Sequence, residues 1–348
     1  MKFLCFGLGA IGTYIGGSLA LNGQRVIFVE RPEVAAEVRL RGLRLASQGV
    51  DRRLEQPAIT DSLEEALASG PFDAAILAVK SFDTAAVLQS AGTWRQQMPP
   101  VLCLQNGVEN EVLIAAELGP DRVISGTITT AVGRQAAGNI FVEKLRGIGV
   151  AVEHPLGPQL VAALDSAGLH AQAYPNAASM KWSKLLTNLL ANASSAILDY
   201  PPVKIFGHPG LYRLEVRMLK EALAVMAAQK IPITDLPATP VRLLMWIIQA
   251  LPAKLSQPLL VQTLGKGRGA KMPSFHIDLY AGRGRSEVDF LNGAVVRFGQ
   301  KLNIATPVNA WLTQTLLAIT EGSLSKETYA HQPDAFINAL SVSERATG

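Results

Sequence analysis

Lys2-Phe3-Leu4-Cys5-Phe6-Gly7-Leu8-Gly9-Ala10-Ile11-Gly12 opens the chain, and its continuation to Arg31 decides the fold. The apolar run at 2–6 predicts a buried strand. A G-x-G-x-x-G turn follows at once, then an apolar helical stretch to about Leu21, a stop at Gly23, and a second strand over 25–29 that ends in Glu30-Arg31. Strand, glycine turn, helix, strand and charged end is the order of a dinucleotide-binding βαβ unit. Gly7 permits the tight turn, Gly9 lets a pyrophosphate approach the backbone, and Gly12 lets the helix pack close to the strand. The N–H groups of the helix start then face the phosphates. Gly7, Leu8, Gly9, Ala10, Ile11 and Gly12 are therefore the first candidate cofactor-binding residues.

Glu30 and Arg31 bear on which dinucleotide fits. An acid at the end of the second strand holds the 2′-hydroxyl of NAD, whereas a nearby Arg suits the 2′-phosphate of NADP. Adjacent strand residues point to opposite faces, so only one of the two is expected to meet the ribose. Arg39, Arg41, Arg44, Arg52 and Arg53 follow closely and read as a solvated basic face that could also support a phosphate. Together they point to NADP (NADPH) as cofactor, with NAD left open.

Working outward, 348 residues suffice for two domains. With 49% hydrophobic and 17% charged residues, a large core is expected and disorder is not. A net charge of +4, spread along the chain, is too weak to argue for nucleic acid and suits an anionic small molecule. Cys5 and Cys103, the two cysteines, sit in apolar runs and read as free core thiols of a reducing cytoplasm. The five histidines show no ligand spacing, so no metal site is expected. The amino-terminal run carries its glycines at fingerprint positions and lacks a cleavage site, so it is not read as a signal peptide. The apolar run at 243–251 is too short for a bilayer, so no membrane partner is expected.

The first half alternates strands and helices: helices at 33–41, 84–97, 110–118 and 157–167, another opening at Asp61-Ser62-Leu63-Glu64-Glu65, and strands or extended runs at 72–79, 100–104, 122–132, 140–152 and 170–174. Alternation of this kind predicts a mostly parallel sheet with helices on both faces. From Asn176 onward the period is helical, with helices expected at 179–199, 210–229, 239–249, 274–280, 287–302 and 308–322. Two segments break that pattern: 251–262, with its two prolines, and a Gly-Lys-Arg loop at 265–271. The expected class is α/β: an N-terminal Rossmann-type doubly wound sheet over 1–174 and a C-terminal all-α domain over 175–348.

Chemistry-bearing residues gather at predictable places. Lys80 ends the strand at 72–79 and Asn106 the strand at 100–104, where strand ends meet the ligand crevice of an open α/β sheet. Lys80 could meet a phosphate, ribose or substrate anion, and Asn106 could orient a nicotinamide or a substrate carbonyl, although Asn106-Gly107 also reads as a plain turn. Lys184, Asn188 and Asn192 recur every four residues on a predicted helix whose other positions are apolar, drifting about 40° per step. A cation and two amides on such a helix read as the lining of a pocket. Lys181 lies off that stripe and is expected at the surface. Ser286 and Glu287 open a helix, where Glu287 gains from the dipole, and Ser274 after Pro273 reads equally as an N-cap.

As a set, Gly7-Leu8-Gly9-Ala10-Ile11-Gly12, Val79-Lys80, Gln105-Asn106-Gly107, Lys184-x-x-x-Asn188-x-x-x-Asn192, Pro273-Ser274-x-x-x-Asp278 and Ser286-Glu287-Val288-Asp289-x-x-Asn292-Gly293 resemble the ketopantoate reductase (2-dehydropantoate 2-reductase) family, over residues 1–317. The resemblance implies that Lys184 is the catalytic proton donor, that Asn188 and Asn192 hold the substrate's hydroxyl end, that Ser274 binds its carboxylate and that Glu287 touches both substrate and cofactor. It likewise implies that Lys80 and Asn106 act on the cofactor side and Arg31 at the 2′-phosphate. The activity implied is NADPH-dependent reduction of ketopantoate, a small 2-oxo acid, to pantoate on the way to coenzyme A. The residues leave open a dehydrogenase for another 2-oxo or 2-hydroxy acid, and a dinucleotide-binding sensor without turnover, which would need no proton donor at Lys184. A helical second domain rich in apolar residues leaves a homodimer open.

Overall fold

β1 (Lys2–Phe6) lies between β2 (Arg25–Val29) and β6 (Ala74–Leu77), parallel to both, and the rest of the larger sheet grows from this centre. The computed structural model describes residues 1–268 and 271–347. Its other strands are β3 (Leu43–Ser47), β4 (Val50–Leu54), β5 (Ala58–Thr60), β7 (Val101–Cys103), β8 (Val123–Ile128), β9 (Ala131–Ala136), β10 (Asn139–Lys144), β11 (Ile148–Ala151) and β12 (Ala171–Tyr174). The larger sheet runs β12-β11-β8-β7-β6-β1-β2-β5, parallel except where β11 meets β8. A smaller sheet runs β4-β3-β10-β9.

The chain leaves β1 toward β2 and β5 on one side, then returns to β6 on the other. That reversal makes the carboxyl ends of β1 and β6 the switch point of a doubly wound sheet, where such folds bind ligands. Alternation along β1 buries both faces: Phe3 and Cys5 join a core with Phe28, Ile76 and Leu102, while Leu4 and Phe6 join one with Leu77, Val101 and Ile114.

Two compact units result: Met1–Lys181 with Asp235–Thr239, and Trp182–Thr234 with the chain from Pro240 onward. The second is helical. Its helix Pro209–Ala228 buries Leu211, Leu214, Met218, Leu219 and Ala222 along one stripe. Asn292 Nδ2, on the helix Val288–Lys301, donates to Asn309 Oδ1 (3.1 Å) on the helix Pro307–Thr320, and Asn309 Nδ2 donates to the Met218 carbonyl (3.0 Å). These buried amides tie three helices together.

Several elements depart from the expectation. The hairpin of β3 and β4 was not foreseen, because Val50–Leu54 is almost wholly exposed and carries no apolar period. Its turn, Gln48-Gly49, has positive φ at both residues (50° and 79°), as a two-residue hairpin requires. The expected breaks after Leu251 are instead one helix, Ala253–Arg268, with Pro258 inside it. Tyr212 donates to Ser256 Oγ (2.5 Å) and Gln257 Nε2 to the Phe206 carbonyl (2.9 Å), anchoring that helix although Pro258 removes one backbone donor. Residues 269 and 270 of the expected loop lie outside the described residues. Helices Pro202–Gly207 and Pro333–Thr347 were not foreseen either.

Candidate functional site

The turn after β1 is built as its glycines demand. Gly7 adopts φ +91°, a conformation side chains rarely take, and donates to the Val29 carbonyl at 3.1 Å. A Cβ on Gly12 would collide with the Gly7 carbonyl oxygen, so only glycine lets the helix Ala10–Leu21 come this close. Gly9 differs. Its φ of −68° suits any residue, and a Cβ there would meet nothing within 4 Å. Neither conformation nor packing requires a glycine at this position. The open space before it, at a helix start whose first N–H groups lack intrahelical acceptors, fits an approaching pyrophosphate.

Glu30 faces this turn. Leu8 N–H donates to its Oε2 at 2.7 Å and Arg31 N–H to its Oε1 at 2.9 Å, and the side chain is only 14% exposed. Arg31 is largely solvated, its side chain 81% exposed, with Nε 3.7 Å from Glu30 Oε1. Three of the cations beyond it are engaged elsewhere: Arg39 donates to the Ile59 carbonyl (3.0 Å), Arg41 pairs with Glu37 (2.7 Å) and Arg44 with Asp51 (2.8 Å). Burial, with the Glu30 charge adding to it, pushes the Cys5 thiol up to about 12.

Lys80 and Asn106 follow β6 and β7, half-buried. The two strand ends are joined to each other. Ser81 Oγ donates to the Asn106 carbonyl (3.1 Å), which also accepts from Asn110 Nδ2 (2.7 Å), and Gln105 Nε2 donates to the Val79 carbonyl (2.9 Å). Here Lys181 corrects the expectation of a surface side chain. Its ammonium is buried, 2.7 Å from Glu111 Oε1, and donates to the carbonyls of Gln105 (2.7 Å) and Gly126 (3.3 Å). Burial lowers the Lys181 pKa, but the Glu111 carboxylate and the neighbouring Cys103 raise it further, so the net shift is upward. The signal was in the sequence: Lys181 shares a stripe with Leu185 and Leu189, both buried, at steps of four.

In the helical unit, every residue from Trp182 to Leu198 is buried except Lys184 and Asn188, which are half-buried. The expected single helix at 179–199 is interrupted. One helix, Ala177–Leu189, carries Lys184 and Asn188, and a second, Asn192–Leu198, begins at Asn192. Ala191 between them has φ +51°, and its N–H donates to Glu215 Oε2 (2.8 Å), while Ser194 Oγ donates to Glu215 Oε1 (2.5 Å). Buried Glu215 thus caps the second helix from within and holds a left-handed alanine. Sequence reasoning missed Glu215, although an acid on the apolar stripe of Leu211 and Leu219 is the kind of outlier that marks a buried polar anchor.

The interruption turns Asn192 to a new neighbour. Its Nδ2 donates to the Asn188 carbonyl (3.1 Å), and its Oδ1 accepts from Phe275 N–H (3.1 Å), so Asn188, Asn192 and the start of the helix Ser274–Tyr280 lie together. Ser274 is the exposed first residue of that helix and Pro273 its N-cap, so the hydroxyl is not spent on capping. Glu287 is buried and occupies the N-cap position of Val288–Lys301, one residue earlier than the expected first-turn place, with Ser286 Oγ accepting from Val288 N–H at 3.2 Å. Asp278 pairs with Arg283 at 2.6 Å. Among the described residues, no group of three or more His, Cys, Asp or Glu is placed to hold a metal ion, and no helix is long and apolar enough to cross a membrane.

Comparison with known proteins adds to this geometry. A family profile described as ketopantoate reductase PanE/ApbA matches residues 3–151, and one for the C-terminal part of the same family matches residues 176–320. A 2-dehydropantoate 2-reductase of Pyrococcus horikoshii is 28% identical over 319 residues, covering 89% of this chain and 94% of that one. A crystal structure of a PanE/ApbA family ketopantoate reductase from Ralstonia eutropha superposes with a TM-score of 0.77 at 26% identity, over 92% of this chain and 99% of that one. D-mandelate dehydrogenase, solved with NADH and anilino(oxo)acetate, shares the fold with a TM-score of 0.76 at 23% identity, over 93% and 99% of the two chains.

Proposed function

We propose that this chain, which belongs to the ketopantoate reductase family, reduces the carbonyl of a small 2-oxo acid, with 2-dehydropantoate as the first substrate and pantoate as the product. A reduced nicotinamide supplies the hydride, and the protein supplies placement and the proton. The Gly7–Gly12 turn and the helix start hold the pyrophosphate, with Lys80 and Asn106 as further groups on the cofactor side. The resemblance carries NADPH through Arg31, while Glu30 leaves NADH open.

Negative charge develops on the substrate oxygen as its carbon is reduced. The Lys184 ammonium stabilises that charge and gives the oxygen its proton. Asn188 and Asn192 hold the hydroxyl end of the substrate, Ser274 its carboxylate, and Glu287 contacts both substrate and cofactor. The observation that carries this reading is the half-exposure of Lys184 and Asn188 along an otherwise buried run, which puts an ammonium and an amide at the opening of an apolar helix face. A cytoplasmic location and a homodimer complete the proposal. Free buried Cys5 and Cys103 suit a reducing compartment, and Leu243 and Trp246, both more than half exposed, give a second copy an apolar surface.

The test follows nicotinamide absorbance with ketopantoate and with a panel of other 2-oxo acids. Turnover fastest with ketopantoate supports the reading. Turnover confined to another 2-oxo acid moves the substrate, and binding of dinucleotide without turnover on any of them leaves only a sensor.

A further inference from the structure

We propose that Glu30 makes this chain select NADH over NADPH. The inference rests on the reading that the glycine turn binds a nicotinamide dinucleotide, and it concerns the far end of that molecule, the adenosine ribose. An acid at the end of the second strand of this fold is placed to accept the ribose 2′-hydroxyl. Glu30 is held in that role on the glycine turn itself. One carboxylate oxygen accepts Leu8 N–H at 2.7 Å and the other Arg31 N–H at 2.9 Å. A carboxylate has about four acceptor positions, so two backbone bonds leave others for a hydroxyl donor. With 14% of its side chain exposed and both oxygens tied to backbone, Glu30 is poorly placed to swing aside for a phosphate.

A 2′-phosphate brings a charge of about −1.5 to −2 and three acceptor oxygens. Beside Glu30 it meets a fixed carboxylate that offers no donor. The one adjacent cation, Arg31, is 81% exposed and lies 3.7 Å from the same carboxylate, so its charge is shared with Glu30 and its side chain has no packed position from which to receive a phosphate. Arg39, Arg41 and Arg44 are engaged with Ile59, Glu37 and Asp51. An anion held on the turn by two backbone N–H groups outweighs a solvated cation, because an exposed charge contributes little while a partly buried one is weakly screened.

Equilibrium binding of NADH and NADPH to the full chain, without substrate, tests this by nicotinamide fluorescence or calorimetry. The expected result is NADH bound at least about tenfold more tightly. Glu30→Gln keeps an acceptor for Leu8 N–H and removes the charge, and should move the ratio of the two dissociation constants toward NADPH by about tenfold. Competition by 2′,5′-ADP against 5′-AMP, which probes the adenosine end alone in the unaltered protein, should favour 5′-AMP. Equal or tighter binding of NADPH by the unaltered chain overturns the proposal while leaving the dinucleotide site standing, as does an unchanged ratio in a folded E30Q variant. Failure to bind either dinucleotide overturns the site reading and the proposal with it.

Discussion

Single residues divide here into those that packing demands and those it does not, and the second group points to function. Gly12 is demanded, since any Cβ collides with the Gly7 carbonyl. Gly9 is not, since a Cβ there meets open space at an ordinary φ. Gly12→Ala should therefore cost more than about 3 kcal/mol of stability, as a backbone collision with no room to relax. Gly9→Ala should leave the melting temperature unchanged or slightly raised, yet weaken dinucleotide binding by tenfold or more. Equal loss of stability in both variants would remove the pyrophosphate cradle from Gly9. The same reasoning applies to Lys184, half-exposed where its neighbours are buried. Lys184→Ala should lower kcat by about 10²–10⁴-fold, the usual weight of a positioned proton donor, with dinucleotide affinity held within about twofold. Unchanged turnover would take Lys184 out of the mechanism.

Elements show where local pattern stops governing. The helix after the glycine turn, the helix Ser274–Tyr280 and the long helix Pro209–Ala228 follow from period and punctuation alone. The break at Leu190-Ala191 does not. No glycine or proline marks it, and its cause is Glu215, 24 residues away, which accepts from Ala191 N–H and from Ser194. That break ends the regular spacing from Asn188 to Asn192 and sends Asn192 Oδ1 to Phe275 N–H. Glu215→Ala should leave buried donors unsatisfied and cost about 2–5 kcal/mol, read as a fall in denaturant midpoint, with Glu215→Gln recovering part of it. A loss below about 1 kcal/mol in the Ala variant would show that the kink does not depend on this carboxylate.

At the scale of the whole molecule, the boundary between the two compact units falls inside the helix Ala177–Leu189, between Lys181 and Trp182. Lys181, the last residue of the first unit there, is its buried ion-pair anchor. Lys181→Met strands Glu111 in the interior and should cost about 3–5 kcal/mol, whereas Lys181→Met with Glu111→Leu, which removes both charges, should recover much of that loss. Because the Lys181 pKa is raised on folding, its stabilisation is fully present below the ordinary lysine value of about 10.4 and is lost as pH rises through the higher folded-state value. The stability gap between the unaltered chain and the double variant, which leaves no stranded carboxylate to titrate, should therefore stay constant over neutral pH and narrow only under strongly alkaline conditions. A gap that stays unchanged through strongly alkaline pH would assign the loss to packing rather than to the ammonium.

The sequence by itself determined the βαβ opening, the alternation that makes a mostly parallel sheet, the change to helices after Asn176 and the candidate groups at Lys80, Asn106 and Lys184. These depend on sterics and periodicity over a few residues. Only the tertiary structure decided that Glu30 binds the glycine turn, where Lys181 finds its carboxylate and why the chain kinks at Ala191. Each of those outcomes is set by a hydrogen-bond or ion-pair partner more than twenty residues away, or by a backbone group of the glycine turn, and no local pattern encodes which distant partner will be within reach.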